Sequence, residues 1–246
     1  MLMACISLGF AEEQNDPFLY KGELNAAKVK QYITTSKFLP LSINGLNAFN
    51  NPQEKAEVVA MAKEQINRHH NYMAHYNAAV VYSVNAEPYG LDEFVPLSDS
   101  DAANAILNAT KAIELGANNP APYMYFLRGD VYMKQGTEWN TPLGVLDIKS
   151  HDYARKALAD YEKVAELKPS IAPYGHMAAL AEALRMTGKA ATYQQRANAQ
   201  QAAIERAVAD RASHQRQAQR SVRKGVQEEQ KKQIQNNFWS NWSLFK

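Results

Sequence analysis

Apolar and small residues recur every three or four positions along most of this chain, the spacing of one face of an α-helix. Between Pro17 and Pro40, Leu19-Tyr20, Leu24, Ala27, Tyr32 and Thr35 keep that step and predict one amphipathic helix. Residues 37–52, rich in Asn and holding Pro40, Gly45 and Pro52, read as an irregular connection. Asn51 before Pro52 is a helix start, with Asn as cap and Pro in the first turn, where its missing N–H costs nothing. The helix it opens could run to Ala86, about 50 Å at 1.5 Å per residue, so a break is expected around Asn67 to Asn71. Pro88 and Gly90 stop it, and 87–100 is a second linker.

The pattern resumes from an Asp99 or Ser100 cap to Leu115, ended by Gly116. Further helices are predicted over Tyr123–Gln135, Asp152–Leu167 and Tyr174–Thr187, with Gly136, Pro169 and Gly188 as their stops. Residues 137–150, with Pro142 and Gly144, read as a loop. From Lys189 the helical pattern runs to about Asn236, interrupted only by Gly225. No segment alternates as a strand would, so the expected fold is all-α, built from antiparallel helix pairs.

The chain's 246 residues are 46% apolar, enough for a substantial core. No stretch approaches the roughly 18 to 20 apolar residues of a membrane-spanning helix. One cysteine, Cys5, leaves no internal disulfide framework and no Cys-based zinc site. Charge is uneven: residues 1–195 hold 17 Lys+Arg and 21 Asp+Glu, whereas 196–246 hold 10 and 4. The last fifth is therefore +6 and reads as an interaction arm.

Met1 to Phe10 is apolar apart from Ser7, and Gly9 and Ala11 have the spacing a signal peptidase reads, with Glu12-Glu13 next. The segment lacks a basic n-region. Leu2-Met3-Ala4-Cys5 also resembles a lipobox, which would tether the chain through Cys5, and a cytosolic protein opening on an apolar helix stays open as well. The export reading places the protein in the periplasm or outside the cell. The expected organisation is a signal or tethering segment (1–11), a helix and linker (12–52), a helical domain (53–200) and a basic, Gln-rich arm with an aromatic tip (201–246).

Tyr125-Phe126-Leu127-Arg128-Gly129-Asp130-Val131-Tyr132-Met133-Lys134-Gln135-Gly136 resembles the first helix of a tetratricopeptide repeat. Gly129 admits a neighbouring helix, Tyr125 and Tyr132 fill the groove around it, and Gly136 closes the turn. Ala157, Tyr161, Val164 and Pro169 resemble the second helix. The unit spans about 123–169 and departs from the family's period by an insertion of about sixteen residues around 137–150. Two degenerate units flank it, so the resemblance covers roughly 70–205 and implies a helical-hairpin solenoid.

The resemblance also implies that Tyr123, Phe126, Asp130, Met133 and Lys134 face a concave groove that takes a protein or peptide ligand. Phe126 and Asp130 depart from the Lys/Asn pattern that grips a chaperone's terminal carboxylate, so no such clamp is expected. His69, His70 and His75 are the one histidine cluster, but their steps of one and five do not share a helix face as metal ligands do. No metal site, nucleotide loop, nucleophile elbow or cofactor motif is found, and no catalytic residue is assigned.

The arm carries Arg206, Arg211, Arg216, Arg220, Arg223, Lys224, Lys231 and Lys232 among many Gln. Acidic residues dilute it and no aromatics interleave, which speaks against nucleic acid. Its end holds Phe238, Trp239, Trp242 and Phe245, four aromatics in eight residues, suited to docking on the chain itself, on a protein partner or on a membrane surface. The expected function is a non-catalytic binding scaffold or assembly factor of the bacterial envelope, able to form a homo-oligomer or larger assembly through the arm. The alternatives are nucleic-acid or membrane-surface binding through the arm and its aromatic tail, and an unrecognised enzyme.

Overall fold

A computed structural model describes residues 25–40, 49, 51–84, 97–117, 121–140 and 145–243, the side chains of 139–140 and 234–243 excepted. Helices α1 (Ala26–Thr34), α2 (Pro52–His69), α3 (Tyr72–Ser83), α4 (Asp99–Leu115) and α5 (Pro122–Gly136) lead to strands β1 (Thr137–Asn140) and β2 (Val145–Ile148). Then follow α6 (His151–Leu167), a 3-10 turn (Pro169–Ile171), α7 (Tyr174–Ala183) and α8 (Thr187–Ser243). The chain falls into two compact units, one spanning residues 11–197 and the other containing 198–246.

The first unit is helical, built from stacked antiparallel pairs: α2 with α3, α4 with α5, and α6 with α7, with α1 against α2. Adjacent pairs are joined by close packing of α3 on α4 and of α5 on α6. The break expected near residues 67–71 is present. His70 takes a left-handed conformation (φ 41°), and Asn71 caps α3 by accepting the Ala74 N–H at 2.9 Å. Asn51 caps α2 in the same way, through the Glu54 N–H at 2.9 Å, with Pro52 in the first turn.

Three expectations are corrected. The cap of α4 is Ser98, whose hydroxyl accepts the Asp101 N–H at 3.1 Å, rather than Asp99 or Ser100. Helix α7 ends before Gly188. Arg185 turns left-handed (φ 59°), and the N–H groups of Arg185 and Met186 return to the carbonyls of Glu182 and Ala181 at 2.8 and 2.7 Å. That closure satisfies two end carbonyls, and Gly188 lies inside the next helix. The segment 137–150 is also more than a loop. It is a two-stranded antiparallel hairpin pairing Thr137 with Ile148 and Asn140 with Val145.

The hairpin stands at the junction of α5 and α6. The N–H groups of Lys149 and Ser150 both donate to the Gly136 carbonyl, at 2.9 and 3.0 Å. A Cβ on Gly136 would lie 2.8 Å from the Ala154 nitrogen, so only glycine fits there. Leu146 is the buried residue of β2 and joins Tyr161, Val164, Met177 and Leu180 in one core cluster. A second cluster, with Val29, Ile33, Phe49, Val58, Tyr76, Val80 and Met124, lies across α1 to α5.

The first turns of α8 belong to this body. Lys189 donates to Glu162 at 2.7 Å, and the Tyr193 hydroxyl donates to the same carboxylate. Burial pushes Glu162 up, but these two hydrogen bonds outweigh it and hold the carboxyl below its ordinary range. Arg196 lies 5.7 Å over the Tyr174 ring. Along α8 beyond this body the surroundings change. Every described side chain from Ser213 to Gln233 is exposed.

Candidate functional site

Helices α5 and α6 pack closely at Gly129. A Cβ on Gly129 would meet Tyr161 at 2.9 Å and the Asp160 Cβ at 3.2 Å, so a small residue is required. One turn of α5 beside it, Arg128 forks onto Asp160, its Nε and Nη2 each 2.8 Å from a carboxylate oxygen. Arg128 Nη1 reaches Thr110 Oγ1 on α4 at 3.0 Å, which links three helices through one side chain. The rings of Tyr125 and Tyr132 flank its guanidinium at 5.9 Å each. Hydrogen bonding to Asp160 raises the Arg128 pKa. Burial pushes the Asp160 carboxyl up, and the Arg128 fork offsets part of that shift.

This seam sets the height of the face on which Tyr123, Phe126, Asp130, Met133 and Lys134 recur at helical spacing. The structure divides those five. Tyr123 and Met133 are buried rather than open to a ligand, because each is engaged by a neighbouring helix or turn. Lys168 Nζ donates to the Tyr123 hydroxyl at 3.0 Å, and the Tyr161 hydroxyl points to Met133 Sδ at 3.6 Å. Phe126, Asp130 and Lys134 stay half-exposed. Lys134 Nζ lies 3.1 Å from Asp130 Oδ2, and the Phe126 ring is tilted against Tyr161 with centroids 5.9 Å apart.

Two more groups complete the face. Tyr161 of α6 is fully buried, and burial first, then the Asp130 and Asp160 carboxylates, raise its hydroxyl well above the ordinary tyrosine range. His176 of α7 has its ring 6.2 Å from that of Tyr161. Its Nδ1 is covered and has no hydrogen-bond partner among the described residues. Burial lowers the imidazole pKa below 6.5, with Asp130 opposing and Lys134 adding to the shift. The ring is therefore neutral at neutral pH, and the Asp130–Lys134 pair beside it cancels its own charge. A neutral imidazole, a balanced ion pair and an aromatic face suit recognition by contact and hydrogen bonding.

Sequence reasoning placed Tyr161 as a packing residue and passed over His176. The signal was its place near the start of α7, the helix paired with α6. His69, His70 and His75 do not converge on a ligand. His70 and His75 rings meet edge-on at 5.4 Å, and His75 Nδ1 pairs with Asn108 Oδ1 at 2.9 Å. Among the described residues no group of His, Cys, Asp and Glu has metal-binding geometry, and no helix is long and apolar enough to cross a membrane.

Cys5 and the rest of 1–11 lie outside the described residues. Helix α8 carries the backbone of Phe238, Trp239 and Trp242 as far as Ser243, but the side chains of these three, and Phe245 entirely, also lie outside them. Comparison of the chain with protein-family models, with curated proteins and with solved structures gives no match in any of the three.

Proposed function

We propose that the chain is a non-catalytic, tetratricopeptide-like scaffold that binds a protein or peptide along the face formed by α5, α6 and α7, in the bacterial envelope. The stacked antiparallel helical pairs are an architecture compatible with such scaffolds. One observation carries the reading: Phe126 and the Asp130–Lys134 pair remain half-exposed beside the unpartnered His176 Nδ1, on a face whose other members are packed away. An aromatic ring next to a separable ion pair gives a ligand both an anchoring contact and charge-directed hydrogen bonds. The repeat resemblance at Tyr125–Gly136 and the apolar Met1–Phe10 segment support the family and envelope parts of the proposal.

The test is selection of peptides from a random library on the full chain, followed by titration against variants. Phe126→Ser and Lys134→Glu are expected to weaken the selected peptides by about tenfold or more each, as truncated interface anchors do. Circular dichroism should be unchanged. Peptides that bind both variants as well as the parent chain would place recognition elsewhere.

A further inference from the structure

Helix α8 has an unusual symmetry in its exposed part. Val208, Ala212, Gln215, Ala218 and Val222 follow one another at steps of four, three, three and four, so the series reads alike from either end. Ile204 and Val226 extend it by four more residues on each side. At 3.6 residues per turn these seven positions fall within about 120° of arc on one face. Two successive spans of eleven residues, Ile204 to Gln215 and Gln215 to Val226, keep such a face nearly straight along the helix. Its length is about 33 Å, a little over three heptads. Beyond Ile204, which is buried within the chain, the apolar side chains are open: Val208, Val222 and Val226 are 60%, 65% and 50% exposed. The basic side chains Arg206, Arg220, Lys224 and Lys231 fall on the opposite side of the helix, and Arg216, Arg223 and Lys232 lie on its flanks.

We infer that this face pairs with the same face of a second copy of the chain, antiparallel, about a two-fold axis at Gln215. The series itself specifies the occupant. In that arrangement Val208 meets Val222 of the other copy, Ala212 meets Ala218, and the two Gln215 amides meet at the centre. Small alanines beside the axis let the backbones approach where the glutamines must fit.

Charge selects the direction. A parallel, in-register pair would stack Arg211 on Arg211 and Glu229 on Glu229 within the seam. Reversal sets Arg211 against Gln219 and Glu229 against Gln201. It also brings Glu205 next to Arg223 on the same flank, once at each end, while the basic backs of both helices stay in water. Polar residues at seam positions set register and orientation in paired helices. A lipid surface would not select for a series that reads alike from both ends, nor accept Arg211 and Glu229 within its apolar face.

The experiment uses the full chain with Cys5→Ser, so that no other thiol is present. Light scattering should return twice the chain mass, and Val208→Asp with Val222→Asp should return the monomer with unchanged body stability. In the same background, Gln215→Cys should cross-link to itself under mild oxidation, because the axis brings the two copies of residue 215 together. Val226→Cys should not, since its counterparts then lie about 33 Å apart. A monomer across micromolar concentrations, a dimer that survives the double Asp variant, or self-cross-linking through Val226→Cys would each overturn the inference. So would a monomer that uses the same valines to bind anionic vesicles.

Discussion

Gly129 and Gly225 both sit in the middle of helices, in opposite surroundings. A side chain on Gly129 would collide with Tyr161 and Asp160, whereas one on Gly225 would meet nothing within 4 Å. Around Gly129, the helix is fixed by Leu127 and Val131 inside the body and by the Arg128–Asp160 fork across the seam. Around Gly225, it is held by its own turn-by-turn hydrogen bonds and by exposed polar side chains. In proteins most helical stability comes from tertiary packing of one face rather than from propensity. The same residue is thus a packing requirement in one region and a weak point in the other, and the two regions answer to different forces.

The largest effect that would break this contrast is at the seam. Gly129→Val should cost on the order of 3 kcal/mol by overpacking, while Gly225→Ala should be neutral or gain about 0.5 to 1 kcal/mol from helix propensity. Urea midpoints should therefore fall for Gly129→Val and hold or rise for Gly225→Ala. If they move together, the body and arm do not differ as described.

A slightly smaller effect is expected of Asp160→Ala. It leaves the Arg128 guanidinium unpaired beneath two tyrosines, and about 2 kcal/mol should be lost, reduced from the fully buried case because Arg128 keeps some solvent. Its control is the solvent-exposed Lys156–Asp152 pair, where Asp152→Ala should leave the thermal midpoint unchanged.

The smallest effect sharpens the comparison through pH. The folded-state pKa of His176 is lowered from 6.5, so the unfolded chain binds the proton more readily. The stability contribution is then complete above pH 6.5 and declines as pH falls through 6.5 toward the lower folded value. Denaturant titrations at successive pH steps should show a shallower acid slope for His176→Phe than for the parent chain.

Much of the body was legible because its signals are local. Asn51-Pro52 fixes a helix start through a cap two or three residues away, and the turn at His70-Asn71 lies where the long helical pattern had to break. Legibility failed where the deciding contact is distant. The hairpin strands are four residues each, too short to display alternation, and their pairing depends on a Gly136 carbonyl that closes the insertion from the helix side. Arg185 ends α7 although Gly188 is the better sequence signal, because two return hydrogen bonds stabilise its left-handed backbone. The repeat resemblance put Tyr123, Phe126, Asp130, Met133 and Lys134 together on one side of α5. It could not say that Met133 would be claimed by Tyr161 from α6, or that His176 would arrive from α7 with a nitrogen to spare.

The clamp at the foot of the hairpin has a consequence for how such a protein can vary. Lys149 and Ser150 both anchor to Gly136, so α6 begins at a fixed place whatever spans the gap between the two strands. Lengthening or rewriting the tip at 141–144 leaves the joint between α5 and α6 untouched. The connection between the strands can therefore take up new sequence without reopening the fold.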